Sequence, residues 1–358
     1  MRKFALIFLC VAAPAFARTV VVDQNGLRDY TTIQSAINDA NNGDIILINP
    51  GTYTGDGNRD IDFLGKAITV RGSTDDPNDS VIDCNGTIVE PHRGFKFIFY
   101  ESLNSILEFV TITNGYGSGS EGGGGAIRIF KASPTIKNCI ITGNSAYYYG
   151  GGIYEYAGNP LIQNCIFSNN SAVLGGGISC YSNYFLQPGI IQNCIFKNNS
   201  AALGGGIYLN YNQVIQNCVI INNTSSESKG GGLYNESPYS TIKNCTIVSN
   251  NGKGVYNNNG YPTIINSIIW NNGGGQLYGS NYTVSCSDIQ LGYSGIGNIN
   301  SDPLFSPDGF HLSAASPCFD AGDPNYIPDV NETDIDGDSR VLFRIDMGAD
   351  ELFSSDSK

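Results

Sequence analysis

The middle of this sequence is almost without charge. Between Ile136 and Trp270 the only carboxylates are Glu155, Glu227 and Glu236, each at a different position of a repeat. Hydrolysis of a glycosidic bond needs two acids facing one another. No such pair is expected there, and the three acids read as solvated surface charges. Arg128 lies one repeat before Glu155, but strand alternation sends the two to opposite sides. Histidine is scarce as well: His92 and His311 are the only two. Neither stands at metal-ligand spacing from a cysteine and no Cys-x-x-Cys occurs, which argues against a zinc site. No stretch beyond the N-terminus is long and apolar enough for a membrane-spanning helix. Leu352 to Lys358 is short and polar, without the alternating strands of an outer-membrane barrel. The net charge of −13 argues against nucleic acid and anionic membrane surfaces as partners.

What fills the chain instead is a repeat. Thr135 to Asn144 recurs around Asn164-Cys165, Asn193-Cys194, Asn217-Cys218, Asn244-Cys245 and Asn266-Ser267, with glycine blocks such as Gly150-Gly151-Gly152 between copies. Each unit has three short stretches rich in β-branched and aromatic residues, which are strands. Thr135-Ile136 represents the first, Cys139-Ile140-Ile141 the second and Ile153-Tyr154 the third. Ile136 and Ile141 stand an odd number of positions apart, yet both columns are apolar in every copy. The chain must turn a corner between them, and Asn138 and its equivalents tolerate the left-handed backbone of such a corner. Lys137, Gln163, Gln192, Gln216 and Lys243 then point outward. A second corner falls at Gly143-Asn144, Asn169-Asn170 and Asn198-Asn199, and a third at the glycines. Three strands and three corners per copy make one rung of a parallel β-helix, an all-β solenoid whose rungs stack about 4.8 Å apart. Uneven spacing between copies means that extra residues loop out.

The ends differ from the middle. Arg2-Lys3, the apolar run Phe4 to Ala13 and Ala15-Phe16-Ala17 read as a signal peptide over residues 1–17. The expected location is therefore secreted or cell-surface. Loss of Arg2 and Lys3 takes the charge from −13 to −15. Residues 18–290 are expected to form the β-helix. At its start Ile33, Ala36, Ile37 and Ala40 stand at helical spacing behind Thr32 as N-cap, and this short helix would cover the open end of the stack. Asn42-Gly43-Asp44 stops it and Ile45 to Ile48 begins a strand. Ala67 to Val70, Ser80 to Asp83, Phe95 to Ile98 and Ile106 to Thr113 with Ile127 read as early rungs. Residues 291–358, rich in Asp, Pro and Gly, read as an irregular tail packed on the last rungs. Removing Cys10 leaves an odd number of cysteines; five form one interior ladder, where buried thiols behave as small apolar groups. Neighbouring strands suit disulfides poorly.

Tyr30 to Ala36 followed by Asn49-Pro50-Gly51-Thr52-Tyr53 is similar to the start of pectin esterases and lyases. Gly124-Gly125-Ala126-Ile127 and the tetrads Phe167 to Asn170 and Phe196 to Asn199 resemble repeats of chlamydial polymorphic outer-membrane proteins. The tail segments Asn298 to Phe305, Ser316 to Gly322 and Asp346 to Glu351 resemble the ends of secreted bacterial β-helix proteins. The resemblance is to the right-handed parallel β-helix proteins of the pectin lyase-like superfamily. It implies a right-handed fold but no single activity, because lyases, hydrolases, esterases, adhesins and scaffolds share that fold. It also implies that any active site lies on the outer face of the glycine-flanked strand.

Candidate site residues follow. Asp56, Asp60 and Asp62, with His92 and Arg93, are the best acidic set, although no spacing rule confirms them and ordinary loop charges are the preferred account. Asp334-x-Asp336-Gly-Asp338 resembles part of a calcium loop but lacks the distal Glu of an EF-hand. A turn with salt bridges to Arg340 or Arg344 is the preferred account, so no cofactor is expected and calcium is the one alternative. Tyr154, Tyr208, Tyr234 and Tyr256 follow the inward residues of the third strand, with Ser179 interrupting. They form an outward column suited to a sugar or a protein partner, although tyrosines that favour exposed strand positions and stack on one another are the preferred account. The expected function is an exported, non-catalytic surface or adhesin-like scaffold that binds a polysaccharide or surface protein. The alternative is a polysaccharide-active enzyme resembling pectate lyase.

Overall fold

In the computed structural model, residues 17–118, 123–182, 187–340 and 343–352 are described. The signal-peptide reading therefore falls outside them apart from its last residue. Three parallel sheets of 11, 10 and 9 strands run the length of the molecule. In one rung the chain passes through Thr135–Lys137 in the first sheet, Ile140–Thr142 in the second and Ile153–Tyr156 in the third. The next rung begins at Leu161–Gln163, so each strand pairs with its own copy one turn on.

The corners take the expected conformations. Asn138, Asn164, Asn193, Asn217, Asn244 and Asn266 all have φ between 49° and 54°, so the first and second strands both aim a column inward. Ile136 and Ile141, at opposite ends of this corner, are fully buried. At the second corner one residue takes the left-handed conformation and the next, an asparagine, turns into the core. Asn144, Asn170, Asn199, Asn223, Asn250 and Asn272 form a buried ladder, each Nδ2 donating to the next rung's Oδ1 at 2.9 to 3.1 Å along the first five steps. The third corner needs glycine for space: a Cβ on Gly152, Gly177, Gly206 or Gly232 would lie 2.6 to 2.7 Å from a glycine carbonyl one rung on. Between the second corner and the glycines a minor fourth ladder forms, with Ser145–Ala146 and Ser200–Leu203 among its strands.

The capping helix runs Ile33–Asp39, with the Thr32 hydroxyl accepting from the Ser35 amide and Ile33, Ala36 and Ile37 buried. A strand at Thr19–Val22 precedes it and opens the first sheet beside Ile45–Ile48. Cys139, Cys165, Cys194, Cys218 and Cys245 line the core, and all nine described cysteines are buried and unbridged. The tail does not stay at the last rungs. It folds back along the first corner and the second sheet, where Thr333 meets Asn193 and the Glu332 carboxylate accepts from Asn217 and Asn244. Ile335 and Ala349 pack with Val219, Ile221, Val248 and Trp270.

Candidate functional site

The outer face of the third sheet carries one continuous column. Reading up the stack, it runs Asp62, Lys96, Arg128, Tyr154, Ser179, Tyr208, Tyr234, Tyr256, Tyr278. The rings stack face to face: Tyr208 on Tyr234 with centroids 5.5 Å apart, Tyr234 on Tyr256 at 5.1 Å and Tyr256 on Tyr278 at 4.6 Å. The expected exposure is not found. Tyr154, Tyr208 and Tyr234 are only 6%, 4% and 4% exposed, whereas Tyr278 is 50% exposed. Tyr149, Leu174 and Leu203, successive residues of the minor ladder, pack against the column and cover its middle. Tyr149 stacks on Tyr154 at 4.8 Å and also packs against Tyr181, closing the gap left by Ser179.

Glu236 belongs to the same face, two positions beyond Tyr234. Its carboxylate accepts from the Tyr208 hydroxyl at 2.6 Å, the Tyr234 hydroxyl at 3.2 Å and Asn258 Nδ2 at 3.1 Å. Burial first, and then this carboxylate, holds the Tyr208 hydroxyl proton well beyond its ordinary range. Beside the main column runs a second aromatic strip that is half-exposed. Phe130 stacks on Tyr156 at 5.2 Å and Tyr156 on Tyr181 at 6.0 Å, with the Arg128 guanidinium 5.4 Å from the Phe130 ring centre.

The early acids separate. Asp60 Oδ2 sits 2.6 Å from His92 Nδ1, and its other oxygen accepts the Arg93 amide at 3.2 Å. Asp62 accepts the Leu64 amide and faces Lys96 across the sheet register. Asp56 is nearly fully exposed and reaches only Arg59, at 3.5 Å. The three acids therefore make no common cluster. What does assemble is a His–carboxylate pair near an Asp62–Lys96–Arg128 column. Such an imidazole can exchange a proton and such cations can hold anionic groups. Arg93 is buried and donates to the Gly123 carbonyl at 2.8 Å.

Two expectations about single charges need correction. Glu155 is not on the surface; it shares the inward column with Ile129, Cys180 and Leu209 and is fully buried. It accepts from the Tyr211 hydroxyl and the Gly158 amide, and burial pushes its carboxyl up to about 8 despite them. Arg128 and Glu155 do lie on opposite sides of the sheet, as alternation requires. Glu227 is exposed and pairs with Lys229 at 3.0 Å. In the tail, the Asp334 carboxylate binds backbone amides of Asp336, Asp338 and Glu351, not an arginine. Arg340 is turned toward Glu351 at 3.9 Å and Arg344 toward the carbonyls of Gly322 and Ala321. Asp336 instead meets His311 at 2.9 Å.

The comparisons agree with this architecture. The chain is similar to the pectate lyase Pel9A, with 17% identity, 94% of this chain and 97% of that one covered, and a TM-score of 0.55. A carrot pectin methylesterase aligns at 16% identity over 76% of this chain and 89% of its own, with a TM-score of 0.49. An alginate lyase from Paenibacillus sp. str. FPU-7 aligns at 14% identity over 74% and 99%, with a TM-score of 0.40. At 17% identity the likeness to Pel9A concerns the fold alone. No functionally curated protein matches the sequence. The model of the right handed beta helix region matches residues 20–237, more than half of the chain, and the protein belongs to that family, with a pectin lyase-like fold.

Proposed function

We propose that the protein is an exported scaffold that holds a polysaccharide along the outer face of its third sheet without cleaving it. One observation carries this reading. Lys96 and Arg128 occupy successive rungs, and the half-exposed strip Phe130–Tyr156–Tyr181 begins beside them, so a cationic patch runs into an aromatic platform along the stack. Acidic groups of a glycan would pair with Lys96, and sugar rings would lie on the aromatic edges and faces. Of the tyrosine column, Tyr256 and Tyr278 supply the accessible end, and Tyr154, Tyr208 and Tyr234 form the hidden support beneath it. Tethering at a cell surface, as an adhesin, belongs to the same reading. The test is retention on immobilised pectate, pectin and alginate, compared with Lys96→Ala and Tyr156→Ala. Retention that both substitutions weaken supports the proposal. Absence of retention on all three, or equal retention by the variants, removes it.

The Asp60–His92 pair, 2.6 Å apart near Lys96, favours one second reading, a polysaccharide-active enzyme. The same glycans, incubated with and without calcium, would then give an unsaturated product absorbing in the ultraviolet, and Asp60→Asn would lower its rate of formation. Product formation overturns the non-catalytic reading.

A further inference from the structure

The tail has almost no regular secondary structure, yet three of its segments converge on one point. His311 lies beside the Phe305–Leu312 bridge, Asp336 in the turn closed by Thr333 and Ser339, and Asp350 near the end of the described chain. One ligand atom from each of the three lies within 4.8 Å of the others. Asp308 prepares the imidazole. Its Oδ1 accepts the amides of Phe310 and His311, both at 3.1 Å, and its Oδ2 meets His311 Nδ1. A proton on Nδ1 leaves Nε2 with a free lone pair, the arrangement that metal-bound histidines show when a carboxylate orients them. Nε2 lies 2.9 Å from Asp336 Oδ2, yet this contact is not aligned as a hydrogen bond. Nε2 is shielded from solvent and has no hydrogen-bond partner. Asp350 is buried, with Oδ2 accepting the Leu312 amide at 2.6 Å. With the proton on Nδ1, three acceptors face one another with no donor between them. The tail's fully buried cation, Arg340, is turned to the carbonyls of Asp346 and Gly348.

We propose that His311, Asp336 and Asp350 bind a divalent metal ion, with Asp308 as the residue that positions the imidazole. Metal–ligand bonds of about 2.0 to 2.2 Å place adjacent donors roughly 3 Å apart, matching the unaligned 2.9 Å contact. One imidazole with two carboxylates suits zinc or manganese better than calcium, whose shells are built of oxygen. Water completes the coordination on the side where His311 is partly exposed. The ion would staple three loops into one body and hold the tail on the second sheet, as metals do in loop-rich units. This inference does not depend on the proposed function.

The experiment uses the full chain, stripped with a chelator, incubated with zinc chloride or manganese chloride, desalted and assayed for bound metal. About one equivalent is expected to be retained by the wild type, with a rise in melting temperature. Asp336→Asn, a near-isosteric change on a half-exposed turn, and His311→Gln should each lose the ion and the rise. Near-ultraviolet circular dichroism checks that both variants remain folded. Asp308→Asn should keep the stoichiometry but bind about 10- to 100-fold more weakly. A wild type that retains neither metal overturns the proposal, because imidazolium pairing alone then holds the set. Folded variants that retain as much metal as the wild type overturn it too, because the ion is then bound elsewhere.

Discussion

A carboxyl group without a counter-ion sits inside the stack at Glu155. Its partners are the Tyr211 hydroxyl, the Gly158 amide and, at 3.4 Å, Gln213. Dipoles of this kind offset part of the cost of burial but leave the charged form disfavoured. In the folded chain the group titrates at about 8, against 4.5 unfolded. Below pH 4.5 both states are protonated and stability is complete. As pH rises through 4.5 toward 8 only the unfolded state ionises, so stability falls, and it levels off above 8. The loss is on the order of a few kcal/mol. Glu155→Gln should therefore flatten the fall of melting temperature between pH 5 and pH 8; an unchanged slope would mean that the carboxyl is not buried as described. The inward placement was legible: Glu155 stands two positions after inward Ile153, and strand parity puts both on one side. Composition argued the other way, because an unpaired acid inside a solenoid is rare. The asparagine corners were easier to read, since a left-handed residue and a buried ladder both demand the same side chain at every turn.

At the scale of the element, the tyrosine column is a stability device over most of its length. Its outward direction followed from alternation in the third strand. Its cover did not, because that required seeing Tyr149, Leu174 and Leu203 as a ladder of their own. The signal was present, for each directly precedes a glycine block. Replacing Tyr208 and Tyr234 together by serine removes two buried rings and two donors to Glu236. Large-to-small changes of buried aromatics cost about 3 to 5 kcal/mol each, so a large drop in melting temperature is expected. The pair Tyr256→Ser and Tyr278→Ser, nearer the accessible end, should cost much less. Equal melting of the first double variant and the wild type would show that the rings are uncovered. The cysteine ladder makes a parallel case. Cys165 and Cys194 are buried with their thiols directed at backbone carbonyls. Alkylation of both should be slow in the native protein and fast after unfolding, and rapid native labelling would contradict the register of the first corner.

For the whole molecule the decisive relation is between tail and stack. A solenoid buries its core rung by rung and needs no tail for that. Here, however, the second sheet also presents apolar residues outward: Val219, Val248 and Ile268 are buried in clusters that tail residues complete, and Trp270 packs against the same cover. Met347 and Cys318 contribute to that cover, Ala349 donates its amide to Thr246, and Gly348 donates to the Asn266 carbonyl. The sequence marked the tail as irregular but not how far it reaches, since its long-range bonds run from single side chains such as Glu332 to corner asparagines. Ending the chain at residue 290 would uncover this apolar strip and leave Asn217 and Asn244 without their carboxylate partner. Each Å² of apolar surface returned to water costs about 25 cal/mol, and a continuous strip of this kind invites association. The truncated protein is expected to melt at lower temperature and to elute from gel filtration as aggregates. A monomer with wild-type melting would show instead that the tail is a passenger and that the second sheet tolerates water on its own.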